Sequence, residues 1–430
     1  MSINRLLFAA AFSGCCFAFA ARAENTTSAP GPAGSIHVNG RDLQQVIDDA
    51  PPHSTVLCDP NQQLTFSVSV TIRKPMTLQG LNARLPDKLG KMPLVIVASK
   101  GVTVSDFELT GNGDTVPQDQ RAPLLMIGAG DFRVENGRMF NSSKDGIMIE
   151  GTAAGDEDLV GGVVRDIVGH KIIRDVVSIG GSGAKGHRIR NVLVDNVRCY
   201  DSELRGAVEV SDGTDNITVR KVYAEGSVYA IDVQDHKKPA QINRNVVIED
   251  VYAMRCKHAI RTANHPFGHA NLTVRDLTAQ QCQFPVQISN TDNLALYNIR
   301  ILDHDFDGPP VSIRNCRGVS VRDVTIENTA FKGPGLLLED CDGALIDGFT
   351  LRGQTDSLAN GICYRLTTGG AFSGLRISNV FAPNVKDAGI LLEATGKKRG
   401  TLTDYFVAGN LARVEDRIQG PRAAIVNNLP

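Results

Sequence analysis

A seven-residue pattern recurs along this chain: glycine or asparagine, an apolar residue, any residue, valine or isoleucine, any residue, aspartate or asparagine, and a second apolar residue. It reads GVTVSDF from Gly101, GGVVRDI from Gly161, NVLVDNV from Asn191 and NITVRKV from Asn216, with Lys221 at the sixth place of that copy. It continues as NVVIEDV from Asn245, NLTVRDL from Asn271, NLALYNI from Asn293, GVSVRDV from Gly318 and GLRISNV from Gly374. Looser copies start at Asp131 and Gly343, and successive starts lie 22 to 31 residues apart. A recurrence of that length marks a stacked solenoid, in which each repeat buries its apolar face against the next. Apolar residues alternate with period two, which excludes helical repeats. The leucine ladder of leucine-rich repeats is missing. The expectation is an all-β chain folded as a right-handed parallel β-helix, each coil giving two or three short strands.

The segment ahead of the repeats sets the boundaries. MSINRLLFAAAFSGCCFAFAARA has one basic residue, Arg5, before an apolar run, and closes on Ala21-Arg22-Ala23, the small-residue pattern of a cleaved signal peptide. Residues 1–23 are therefore expected to be a signal peptide, 24–35 a flexible linker, and 36–430 a single β-helix domain with coils over roughly 55–410. Phe12-Ser-Gly-Cys15 is the competing lipoprotein reading. No later stretch is long and apolar enough to cross a bilayer, so the mature chain is expected in the periplasm or outside the cell. Residues 42–50 place Leu43, Val46 and Ile47 on one helical face before Pro51-Pro52, as suits a short helix capping the open end of the stack.

A formal net charge of −2 with balanced acids and bases gives no reason to expect nucleic acid. Tryptophan is absent, so a sugar ligand would be gripped by charge more than by ring stacking. Seven cysteines lie beyond the signal segment: Cys58, Cys199, Cys256, Cys282, Cys316, Cys341 and Cys363. Their spacing fits no metal site. Cys256 and Cys282, and likewise Cys316 and Cys341, hold equivalent places in successive repeats, which fits either stacked interior thiols or disulfides.

Each coil carries a second strand: DGIMIEG at Asp145, DVVSIGG at Asp175, GAVEVSD at Gly206, YAIDVQD at Tyr229, HAIRTAN at His258 and PVQISN at Pro285. With the apolar residues inward, the outward row runs Met148, Ser178, Glu209, Asp232, Arg261, Gln287. Two carboxylates and a guanidinium then stand on adjacent coils about 4.8 Å apart. The loop after Asp232 adds Asp235, His236, Lys237 and Lys238, and the next coil's loop adds His265 and His269. The repeat strand has its own outward charges, Arg165, Asp195, Arg220, Glu249, Arg275 and Arg322, which alternate in sign as a salt-bridged solvent face would.

The opening helix followed by HSTVLCDP and MTLQGLNARL resembles the start of pectin-lyase-like β-helix proteins, a likeness that spans nearly the whole chain and speaks to fold, not activity. YAIDVQDH resembles the Asp-Pro-His-Asp stretch of periplasmic mannuronan C5-epimerases, and RCKHAIRTAN resembles that family's next coil. Asp232 and Asp235 match its two aspartates, whereas Gln234 stands where its catalytic histidine belongs, so His236 would have to substitute. Asp232, Lys237 and Arg261 resemble the carboxylate, lysine and arginine of calcium-dependent alginate and chondroitin lyases, which implies a possible Ca²⁺ held by Glu209 and Asp232. KDGIMI, RDVVSIGG and HAIRTA resemble polygalacturonase strands, but the second aspartate of that family's pair is missing and Arg205 replaces its histidine. The expectation is an enzyme acting on an acidic, uronate-containing polysaccharide by C5-proton abstraction, as lyase or epimerase. Arg261 would neutralise the substrate carboxylate, with His236 or Lys237 as base, His265 as acid, and Glu209, Asp232, Asp235, Lys238 and Gln287 binding or orienting. A polygalacturonase-like hydrolase and a non-catalytic glycan-binding or surface-structural solenoid are the alternatives.

Overall fold

A computed structural model describes residues 34–150, 157–181, 186–235, 242–262, 268–327, 331–352, 358–383, 385–396, 400–418, 421, 423–426 and 428. Its strands pair in parallel, each with the equivalent strand of the coil before and after it, and form a β-solenoid. One sheet stacks fourteen short strands from Val70–Ile72 to Val414–Asp416. The longer repeat strands, such as Ile189–Tyr200 and Thr214–Glu225, build the other wall. The first strand, Ser35–His37, begins one residue ahead of the expected boundary, and the last, Ala424–Val426, lies well beyond residue 410.

The recurring pattern is a rule about corners. The first and sixth residues of every copy from Gly101 to Gly374 sit at positive φ, between 51° and 79°. Gly, Asn and Asp tolerate that left-handed conformation best, which is why they recur there. Asparagines at these corners form a ladder: Asn216 donates to Asn191 at 2.7 Å, Asn271 to Asn245 at 2.8 Å, and Asn293 to Asn271 at 2.9 Å. Between corners the fourth residue points inward. Val164, Val194, Val219, Ile248, Val274, Leu296, Val321 and Ile346 stand in register and are buried. Each such side chain contributes on the order of 1.5–3 kcal/mol from burial.

The fifth residue points out and gives the expected ion ladder. Arg220 binds Asp195 at 2.9 Å, Arg165 reaches the same carboxylate at 3.5 Å, and Arg275 pairs with Glu249. The Arg220 hydrogen bond holds the Asp195 carboxyl below its usual range. A helix spans Leu43–Asp49, with the Asp42 side chain accepting from the Gln45 amide and Leu43, Val46 and Ile47 buried. No helix of the described residues is long and apolar enough to cross a membrane.

Candidate functional site

The short-strand sheet brings Ser178, Glu209, Asp232, Arg261 and Gln287 into one row, each residue the register partner of the next. The row has unusual depth. Every residue of Gly206–Ser211 is buried, on both faces of the strand, and so are the first five of Tyr229–Gln234. Glu209 and Asp232 are therefore sequestered carboxylates, not the exposed ladder that alternation alone suggests. Arg261 remains 32% exposed at its side chain, and Gln287 is exposed.

Polar partners explain how acids tolerate that burial. Glu209 accepts from Ser178 at 2.9 Å and from Arg205 and Gln234, with Arg174 at 3.6 Å. Asp232 accepts from Arg261 at 2.7 Å, while its second oxygen, Oδ1, has no hydrogen-bond partner among the described residues. Burial drives the Asp232 carboxyl up to about 6 even though Arg261 pulls it down. Arg261 also lies over the Tyr229 ring, 4.7 Å from its centre, a cation–π contact.

A second row lies three residues upstream on each coil. Asp145, Asp175, Gly206, Tyr229 and His258 stack along it, since Ile147 pairs with Val177, Val177 with Val208, Gly206 with Tyr229, and Tyr229 with His258. Tyr229 reaches back across the Gly206 coil and donates to Asp175 at 2.7 Å. Gly206 makes this crossing possible: a Cβ there would stand 1.7 Å from the Tyr229 carbonyl oxygen and 2.8 Å from its ring. Asp175, which also has Arg205 at 3.4 Å, is pushed well above the carboxylate range by burial and then by the charges of Glu209 and Asp145. Asp145 is raised for the same leading reason, against the pull of Arg174. Burial followed by the neighbouring acids lifts the Tyr229 hydroxyl in turn. His258 is driven down to about 4 by burial and then by Arg261, and its Nδ1 lies 3.1 Å from the Phe284 carbonyl, so it is a neutral packing group.

The structure thus joins Glu209, Asp232, Arg261 and Gln287 as a row and places Asp235 at its edge, buried at the end of the Asp232 strand. His236, Lys237, Lys238 and His265 fall outside the described residues. His269 stands apart from the row, buried at the start of strand His269–Gln280 with Asn243 at 3.3 Å. Sequence reasoning missed Asp145, Asp175, Arg174, Arg205 and Tyr229. The signal was present: Lys144-Asp145 and Arg174-Asp175 open successive strands at one register, and Arg205 precedes Glu209 by four residues. The calcium reading fares poorly on its donors. Both Glu209 oxygens already face guanidinium, amide or hydroxyl donors, and Asp232 is paired with Arg261, so the carboxylates are neutralised by arginine. No group of three or more metal-ligating side chains occurs among the described residues.

No family model and no curated protein sequence matches the chain. Among solved structures, the mannuronan C-5 epimerase A-module of Azotobacter vinelandii superposes with a TM-score of 0.49 at 15% identity, covering 86% of this chain and 91% of that one. An iota-carrageenase bound to iota-carrageenan fragments gives 0.35 at 15% identity over 61% of this chain. The present chain spans only 57% of that enzyme. The surface adhesin PfbA of Streptococcus pneumoniae gives 0.43 at 11% identity, over 66% and 85%. At 11–15% identity and TM-scores below 0.5, the likeness to these structures is one of fold alone.

Proposed function

We propose that this chain is an exported carbohydrate-active enzyme that acts on an acidic, uronate-containing polysaccharide by C5-proton chemistry, as a lyase or epimerase. The observation that carries the proposal is the Asp232–Arg261 pair. A fully buried carboxyl at about 6, with one oxygen held by arginine and the other unpartnered among the described residues, exchanges a proton near neutral pH. Arg261, bound to that carboxyl on one side and a third exposed on the other, is placed to neutralise a substrate carboxylate and the enolate-like charge that follows proton removal. Glu209, clamped by Arg205, Arg174, Ser178 and Gln234, acts as a positioning residue. The loop residues His236, Lys237 and His265 remain the proposed partners for the second proton transfer, with Asp235, Lys238 and Gln287 as substrate contacts. The helix at Leu43–Asp49 is taken to close the first coil, and residues 1–23 to direct export.

A hydrolase is the second reading, favoured by Asp175. A buried carboxyl raised well above its usual range, beside an arginine-paired Glu209, resembles the acid and its carboxylate partner that cleave a glycosidic bond. Incubation with a panel of polyuronates, following unsaturated-uronate absorbance and reducing ends together, separates the cases. Absorbance with new ends, both lost in Arg261→Ala, is the expected lyase result. Exchange of the C5 hydrogen with solvent deuterium, without new ends, is the epimerase result. New ends without absorbance would transfer the activity to hydrolysis. Polymer binding with none of the three would mark a glycan-binding solenoid and overturn the enzyme reading.

A further inference from the structure

Six of the seven cysteines of the described chain are fully buried, and all seven are free thiols. Four of them form two matched pairs. Cys256 and Cys282 each follow a left-handed corner, Arg255 at φ 52° and Gln281 at φ 53°, and Met254 pairs with Gln280 two residues earlier. Each thiol donates to the carbonyl two residues before it, Met254 or Gln280, at 3.5 Å, and each also meets a carbonyl of the preceding coil. Cys316 and Cys341 repeat the arrangement at another corner, after Asn315 at φ 52° and Asp340 at φ 51°, with Arg314 paired to Glu339. In both pairs the two cysteines thus occupy one corner position on neighbouring coils.

Equivalent residues on neighbouring coils are separated by the strand spacing of about 4.8 Å, inside the Cα separation that a disulfide spans. The remaining cysteines lack such a partner position. Cys199 lies within strand Ile189–Tyr200, where its register partner is Ala224 and its sulfur meets the Ser227 hydroxyl at 3.4 Å. Cys363 stands on the outward row of the short-strand sheet, with Glu393 at 3.7 Å, and Cys58 sits near the first coils, half-buried.

We infer that Cys256–Cys282 and Cys316–Cys341 are two sites of cross-coil disulfide formation, each bridge closing one turn of the solenoid on itself. The oxidant is a disulfide donor of the glutathione-disulfide class. A thiolate of the pair attacks one donor sulfur and expels the other half as a thiolate. The second cysteine then attacks the mixed disulfide and releases the remaining half. Each bridge forms one S–S bond, loses two protons from the protein, and reduces one donor disulfide to two thiols. Burial puts the reaction during folding, before the corners close.

The chain from residue 24 onward, which carries seven of the nine cysteines, is unfolded and refolded with oxidised glutathione, in parallel with a dithiothreitol control, then alkylated and digested without reduction. The expected digest contains two linked peptide pairs, 256 with 282 and 316 with 341, each lighter by two hydrogens than its reduced parts. Cys58, Cys199 and Cys363 appear alkylated. The oxidised sample should also melt at a higher temperature than the control. Complete alkylation of all seven thiols in the glutathione sample, or linkage of Cys199 or Cys363 to any of the four, overturns the assignment. The double variant Cys256→Ala/Cys282→Ala should keep the 316–341 link. Loss of that link in a folded variant would refute two independent sites.

Discussion

Asp232→Asn tests whether the buried carboxyl truly titrates near neutral pH. In the fold Asp232 sits at about 6 against an ordinary 3.8, because burial penalises its charge more than Arg261 supports it. Between those two values the unfolded chain has released a proton that the folded chain still holds, so stability falls as pH rises through this window. Below it both states are protonated and nothing is lost; above it the loss is complete. The gap corresponds to about 3 kcal/mol. Asparagine keeps the shape and does not titrate. At about pH 4 the variant should be slightly less stable, by the roughly 1 kcal/mol of a hydrogen bond to Arg261. At about pH 7 it should be more stable than wild type by about 2 kcal/mol, so the difference reverses sign. Other titrating groups are common to both proteins and largely cancel. Urea denaturation across that range measures the difference, and amide exchange within Tyr229–Gln234 reports it locally, since solenoids unfold in segments. A difference that stays constant with pH would mean that Asp232 ionises in the ordinary range, and would remove the basis for its acid–base role.

Four further outcomes follow from the same geometry. Tyr229→Phe keeps the ring under Arg261 but leaves Asp175 without its hydroxyl donor, and denaturation should show a loss of about 1–3 kcal/mol. Gly206→Ala forces a methyl group against the Tyr229 carbonyl and should abolish the native near-ultraviolet dichroism or prevent soluble expression. The depressed His258 value implies that the unfolded chain gains a proton between about pH 6.5 and 4 that the fold refuses, so His258→Phe should flatten the acid side of the stability profile. Ile47→Ala empties a fully buried position and should cost about 2–5 kcal/mol, with loss of amide protection confined to the first coils if the helix covers the stack.

The solenoid was legible because its constraint is local and repeated. Left-handed residues five apart in each repeat favour Gly, Asn and Asp, which therefore mark most corners, and the inward valines and isoleucines between them fix the register. That register alone places Glu209, Asp232, Arg261 and Gln287 in a row. Depth was not legible in the same way. Period-two alternation says which residues share a face, but how deeply the face lies depends on side chains from other coils. Tyr229 shows the difficulty: by alternation it belongs with the inward residues Ile231 and Val233, yet its hydroxyl lies on Asp175, two coils away, because Gly206 has no side chain in between. Arg174 and Arg205 stand just before their strands, at a corner where neither period of three and four nor period of two assigns a direction, and the fold turns both onto Glu209. Three arginines and a tyrosine then gather around four buried acids that are scattered over some ninety residues of sequence. Such a cluster has no local pattern. What the sequence does carry is its consequence: strands such as GAVEVS and YAIDVQ that keep charged or amide residues at outward positions between small or apolar ones. Those interruptions are tolerated only where guanidinium partners arrive from the neighbouring coils. The search for chemistry in a solenoid is therefore best directed at corner arginines that lie one coil away from an outward acid, since burial and charge pairing must be supplied together.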